Sequence, residues 1–146
     1  MTVNGLPAHV LLVHLVVVLL PLTAVAAVLV SVWPAAQRKL TFLVPLGAVV
    51  GMAAVPLTTA AGNALAAHLG NPPFIAHHRS LGQQVLPWAA ALAVTTTAQW
   101  LYLRRQPRPG GPGRLLAVAV VVAAVGTATV VALTGEAGAR AVWGNR

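Results

Sequence analysis

The sequence predicts an all-α integral membrane protein, a four-helix bundle with both termini on the extracytoplasmic side. Three observations predict it. Of 146 residues, 58% are hydrophobic and 7% charged, whereas water-soluble chains average about 45–50% apolar and about 25% charged. The nine basic residues and single acid leave four uncharged runs, 1–37, 40–78, 80–103 and 115–135, and each holds the roughly 20 mostly apolar residues that a transmembrane helix needs. Finally, the basic residues are unevenly shared between the two sides. Arg38, Lys39, Arg104, Arg105, Arg108 and Arg114 fall in the loops after helices one and three, and only Arg79, Arg140 and Arg146 on the other side. Because Lys and Arg accumulate in cytoplasmic loops, the six-residue side faces the cytoplasm.

The chain reads as one transmembrane domain over 1–146, in the bacterial cytoplasmic membrane, with helices at about 10–33, 40–67, 73–103 and 114–134. The first ends at Trp33-Pro34, an interfacial aromatic followed by a helix stop. Its apolar run is too long for a cleaved leader and no Lys or Arg precedes it, so it reads as a retained helix. Pro21 sits mid-helix, where neighbouring helices can tolerate a kink. The second carries Pro45 and Pro56 and a stripe of small residues, Gly47, Gly51, Thr58, Gly62 and Ala66. Such a stripe lets another helix approach closely, and packing within the bundle is the expected use. Asn71-Pro72-Pro73 reads as a capped start of the third helix. The segment 104–114 combines Gly, Pro and Arg and reads as a loop. The fourth helix is Val- and Ala-rich, with Gly126 and Ala128 as contact points and a short tail from Gly135 to Arg146.

Composition excludes several chemistries. With no Cys there is no disulfide, thiolate zinc site, iron–sulfur cluster or covalently attached c-type haem. One acid, Glu136, supplies neither a glycosidase pair nor a carboxylate-rich Mg²⁺ site. Neither GxxxxGK[ST] nor GxGxxG occurs, and no Ser or Thr sits in a nucleophile setting, so nothing marks an enzyme. The +8 charge flanks apolar spans and serves topology and lipid headgroups. The lipid bilayer is therefore the expected partner, and nucleic acid is not.

What titrates lies at one end. Counting about 20 residues outward from each cytoplasmic helix end puts His9, His14, His68, His77, His78, Arg79, Glu136 and Arg140 at or beyond the outer boundary. His14 alone has apolar neighbours for several turns, and an ionisable group in a span needs a partner to offset its desolvation. His9, five residues away, points about 140° from it, so the two cannot chelate one metal from the same face. His78 is the best partner for His14 by depth, and Gly82 one turn on would leave room for a flat ligand. Two imidazoles from different helices hold non-covalent haem, with Arg79 and Arg140 for the propionates. A zinc or copper site of His9, His68, His77 and Glu136 is a weaker alternative without a spacing signature. A neutral, hydrogen-bonded imidazole is the ordinary alternative for His14, and a solvated helix start for His77-His78-Arg79. For Glu136, placed at a helix C-terminus against the dipole, the ordinary reading is a salt bridge to Arg79 or Arg140.

Leu6-Pro7-Ala8-His9-Val10-Leu11-Leu12-Val13-His14 resembles the HPxLVHFPI-like opening of a bacterial membrane family known as domain of unknown function 2231. Gly135-Glu136-Ala137-Gly138-Ala139-Arg140-Ala141-Val142-Trp143 resembles the tail of its actinobacterial members. Val10, Leu15 and Val16 stand where the family commonly has Pro, Phe and Pro, and Glu136 where a His is frequent. The resemblance implies four helices and, from family members fused to Rieske-type or cytochrome-type domains, membrane redox work. It also implies that His9, His14 and His78 (or His77) are family histidines. The leading specific expectation is a b-type haem or redox subunit acting with a membrane redox partner near the outer face. The alternative is a non-redox bundle, a small transporter or accessory subunit, in which the prolines could mark broken helices. No charged residue reaches the midplane, where transporters handle coupling ions.

Overall fold

The computed structural model describes residues 2–3, 6–105 and 110–144. Its architecture is helical. A two-residue antiparallel pairing, Thr2–Val3 with Leu6–Pro7, precedes α1 (Ala8–Val32), α2 (Pro34–Leu40), α3 (Leu43–His68), a 3₁₀ turn (Pro73–Ile75), α4 (Ala76–Arg105) and α5 (Gly111–Trp143). The four long helices form a ring: α1 packs on α3 and α5, and α4 packs on the same two. The helices α1 and α4 are therefore diagonal and touch little. Two antiparallel hairpins, α1–α3 and α4–α5, face each other.

Each helix buries a stripe at three- and four-residue spacing, the period that keeps one helix face inward. On α1 the stripe is Val16, Leu20, Thr23, Ala24, Ala27 and Val30; on α5 it is Val120, Ala123, Ala124, Thr127, Val130 and Val131. The core is built mainly of Ala and Val, which brings the backbones close. At Gly51 an added Cβ would lie 2.4 Å from Leu20 Cδ2, and at Gly126 it would lie 2.1 Å from the Trp88 ring. The small-residue stripe of α3 is thus spent within the chain, against α1. The outward faces are apolar: Val18, Leu22 and Val25 on α1, Val94 on α4, and Val118, Val122 and Val125 on α5 are all more than half exposed.

Three helices, over Leu11–Val32, Leu43–His68 and Gly111–Ala141, are long and apolar enough to cross a membrane. The expected fourth span, α4, is 30 residues long but falls outside that set. Gln83, Gln84, Thr95, Thr96, Thr97 and Gln99 dilute its apolar content. Two of these are buried and satisfied. Thr96 Oγ1 donates to Leu92 O at 2.6 Å, and Gln99 Nε2 donates across to Ser31 Oγ of α1 at 3.1 Å. The neighbouring Thr95 bonds back to Ala91 O at 2.8 Å, the local hydroxyl pattern expected for the threonine run.

Element boundaries differ from the expected ones for local reasons. Trp33-Pro34 does end α1, but Pro34 also starts α2, since proline suits a first helical turn. Pro45 falls in the first turn of α3 and does not interrupt it, leaving Pro56 as its one interior proline. Asn71 does not cap the next helix. It is left-handed (φ 51°) after a left-handed Gly70 (φ 75°), and its N–H donates to Ala66 O at 2.8 Å, closing the end of α3. The largest difference is α5, which runs to Trp143 where an end near Thr134 and a tail were expected. Gly135 and Gly138 each weaken a helix by about 1 kcal/mol in isolation, but α4 packs beside this stretch and the helix continues.

Candidate functional site

The histidines gather at the end of the ring where α1 and α4 begin, and two of them are held in the same way. His9, in the first turn of α1, faces α3: its Nδ1 donates to Thr58 O at 3.1 Å, and its ring lies over Gly62, whose added Cβ would fall 2.8 Å from the imidazole Cε1. His78, in the first turn of α4, faces α5: its Nδ1 donates to Thr134 O at 2.9 Å, and its ring lies over Gly138, with 3.1 Å from an added Cβ to Nδ1. The second helix of each hairpin thus supplies the same pair, a threonine carbonyl and a glycine one turn later. Gly suits both seats: a Cβ at position 62 would force the His9 ring to shift, and one at position 138 would crowd the His78 ring.

The tautomer follows from the partner. A backbone carbonyl only accepts, so in each ring Nδ1 carries the proton and, in the neutral imidazole, Nε2 carries the lone pair. Among the described residues no buried side-chain nitrogen or oxygen lacks a hydrogen-bond partner, and neither Nε2 makes a hydrogen bond, so both nitrogens are open to the surroundings. A ring fixed at Nδ1 by a carbonyl with Nε2 available is the arrangement of a metal-ligating histidine. It is equally a stable interhelical hydrogen bond.

The remaining residues singled out from sequence are dispersed. His14 is exposed on α1, about 140° from His9, and His78 is turned into the α4–α5 seam. Beside Gly82 the nearest atom to an added Cβ is Thr134 Cγ2 at 3.9 Å, an ordinary contact distance. His68 ends α3 and is exposed, as is His77, whose carbonyl accepts from Ser80 Oγ at 2.9 Å. Arg79 is exposed and donates to Asn71 Oδ1 at 3.4 Å. Glu136 pairs with Arg140 at 2.5 Å, one turn along the same exposed helix face. Because α5 continues past it, Glu136 is interior to a helix and not at its dipole-opposed end. Among the described residues no three His, Asp or Glu side chains converge as a metal site, so His9, His68, His77 and Glu136 do not assemble.

Apolar outward faces, small-residue seams and polar groups confined to the interior and the ends define a helical membrane protein. The chain belongs to the family DUF2231, described as predicted membrane protein, whose family model matches residues 5–146. Comparison with curated proteins and with solved structures gave no match.

Proposed function

We propose that this chain is a four-helix membrane-spanning bundle, both termini extracytoplasmic, whose outer end is a two-histidine site for b-type haem, and that it serves as a redox subunit. The observation that carries the reading is the matched pair His9 and His78. They stand in the first turns of diagonal helices, each with Nδ1 bonded to a carbonyl and Nε2 left to ligate. We take His9 as the helix-one ligand because it is turned into the bundle, while His14 is exposed. Arg79 and Arg140 stand at the same end and supply positive charge for propionates. Haem bound there would carry one electron at a time, its potential set by the two imidazoles and their burial. The membrane reading of α4 is supported by its inverted polarity: Thr96 and Gln99 are inside and Val94 and Leu101 outside.

A second reading, a non-redox bundle or accessory subunit, is favoured by the same bonds seen as seam locks: carbonyl, imidazole and glycine close each hairpin without any ligand. Alanine variants separate the two. With haem, His9→Ala and His78→Ala each convert a low-spin spectrum to high-spin or lose the pigment, and His14→Ala leaves it unchanged. With locks alone, the first two variants lower thermal stability and no spectrum exists to change.

A further inference from the structure

The opposite end of the molecule has the reverse chemistry. Arg38, Lys39, Arg104, Arg105 and Arg114 collect there, and the one acid in the chain, Glu136, is at the other end and already paired with Arg140. No acidic side chain of this sequence therefore neutralises the basic end. Arg104 is accounted for, stacked 4.9 Å over the Trp100 ring, which in turn meets Phe42 at 5.7 Å. Arg105 is different. It borders an open groove of about 380 Å³ where α4 meets α5, lined by Ala98, Leu101, Tyr102 and Leu116. Ala98 and Leu101 lie up to two turns deeper along α4 than Arg105, so the groove is apolar in its depth and carries a guanidinium and a phenol at its mouth. That order, hydrocarbon inward and cation at the interface, is the inverse of an anionic amphiphile.

We propose that this groove binds one anionic phospholipid, an acyl chain lying along Ala98, Leu101 and Leu116 and the phosphate held by Arg105 and the Tyr102 hydroxyl. Basic pockets between spans on the cytoplasmic side take anionic headgroups in this way, each basic residue contributing about 1 kcal/mol. The inference rests on the membrane-spanning reading and is independent of haem. It is tested by native mass spectrometry of the delipidated protein titrated with phosphatidylglycerol or phosphatidylcholine. Phosphatidylglycerol should be retained in preference. Arg105→Gln should weaken that retention about fivefold, Arg105→Lys should restore most of it, and Arg38→Gln, an equal change of charge on α2, should leave it intact. Equal losses in Arg38→Gln and Arg105→Gln would mean a diffuse basic surface and overturn the proposal. So would equal retention of the two lipids, or full displacement of phosphatidylglycerol by millimolar inorganic phosphate, which would mark a free-anion site.

Discussion

The imidazole of His9 shows what a sequence can and cannot say about one side chain. Helical geometry alone separates His9 from His14 by about 140°, so only one of them can face a given neighbour. Which one does so depends on how α1 is rotated against α3, a tertiary fact with no local signal. The glycines beneath the rings were visible as part of a small-residue stripe at Gly62 and as a tail motif at Gly138, but their role as ring seats needed the partner helix. Gly62→Ala and Gly138→Ala are therefore the informative single-atom changes. A Cβ at position 62 would fall 2.8 Å from the His9 ring, closer than real contacts allow, and one at position 138 would fall 3.1 Å from the His78 ring, tight enough that the ring must give by a few tenths of an ångström. Each variant should lower the melting temperature in detergent, whereas Ala61→Gly beside the first seat should behave as an ordinary helix glycine, costing about 1 kcal/mol or less. Unchanged melting in both seat variants would show that the rings are not held there.

At the scale of the helices, the reading from sequence captured the all-helical class and the order of the long helices, because apolar runs are long, redundant signals. It missed the continuation of α5 to Trp143 and the short α2, since Gly135, Gly138 and Pro34 carry local breaker signals that neighbouring packing and first-turn geometry override. It also overstated how apolar α4 is: polar groups dilute it, some satisfied inside, such as Gln99 on Ser31, and some exposed, such as Gln83 and Gln84. Seam packing gives the sharpest test here. Gly51→Leu drives a side chain into Leu20, while Val50 is 45% exposed on the outer face. Gly51→Leu should cost about 1–3 kcal/mol, measured by reversible unfolding in mixed micelles, and Val50→Leu close to nothing. On the α4–α5 seam, Thr127 Oγ1 reaches Trp88 O at 3.0 Å as well as its own turn. Thr127→Val should lose about 0.6 kcal/mol, the average for a hydrogen bond between helices in a bilayer. A loss above that seen for Gly51→Leu would overturn the ranking of close packing over polar bonds.

For the whole molecule, two asymmetries coincide: histidines at one end and unneutralised arginines at the other, along the same ring of four helices. Charge counting by side reads the second directly from sequence, and it predicts orientation. The chain has no Cys, so single cysteines can be placed freely. In intact cells an impermeant maleimide should label a cysteine at position 70, in the loop after α3, and should not label one at position 38 on α2. The reverse pattern would invert the bundle and put the histidine end in the cytoplasm. The ring itself follows from the two hairpins facing each other, and it sets His9 and His78 on diagonal helices at one end, the arrangement on which the functional reading depends.

That reading is tested most directly by the absorption spectrum of the wild-type protein purified from haem-replete cells, before and after dithionite. Two neutral imidazole ligands in an apolar setting give low-spin, six-coordinate iron. The account therefore predicts a Soret band that shifts on reduction, sharp α and β bands, and one haem per chain in a pyridine extract. A colourless, fully folded protein whose extract contains no haem would contradict it and leave His9 and His78 as locks between helices.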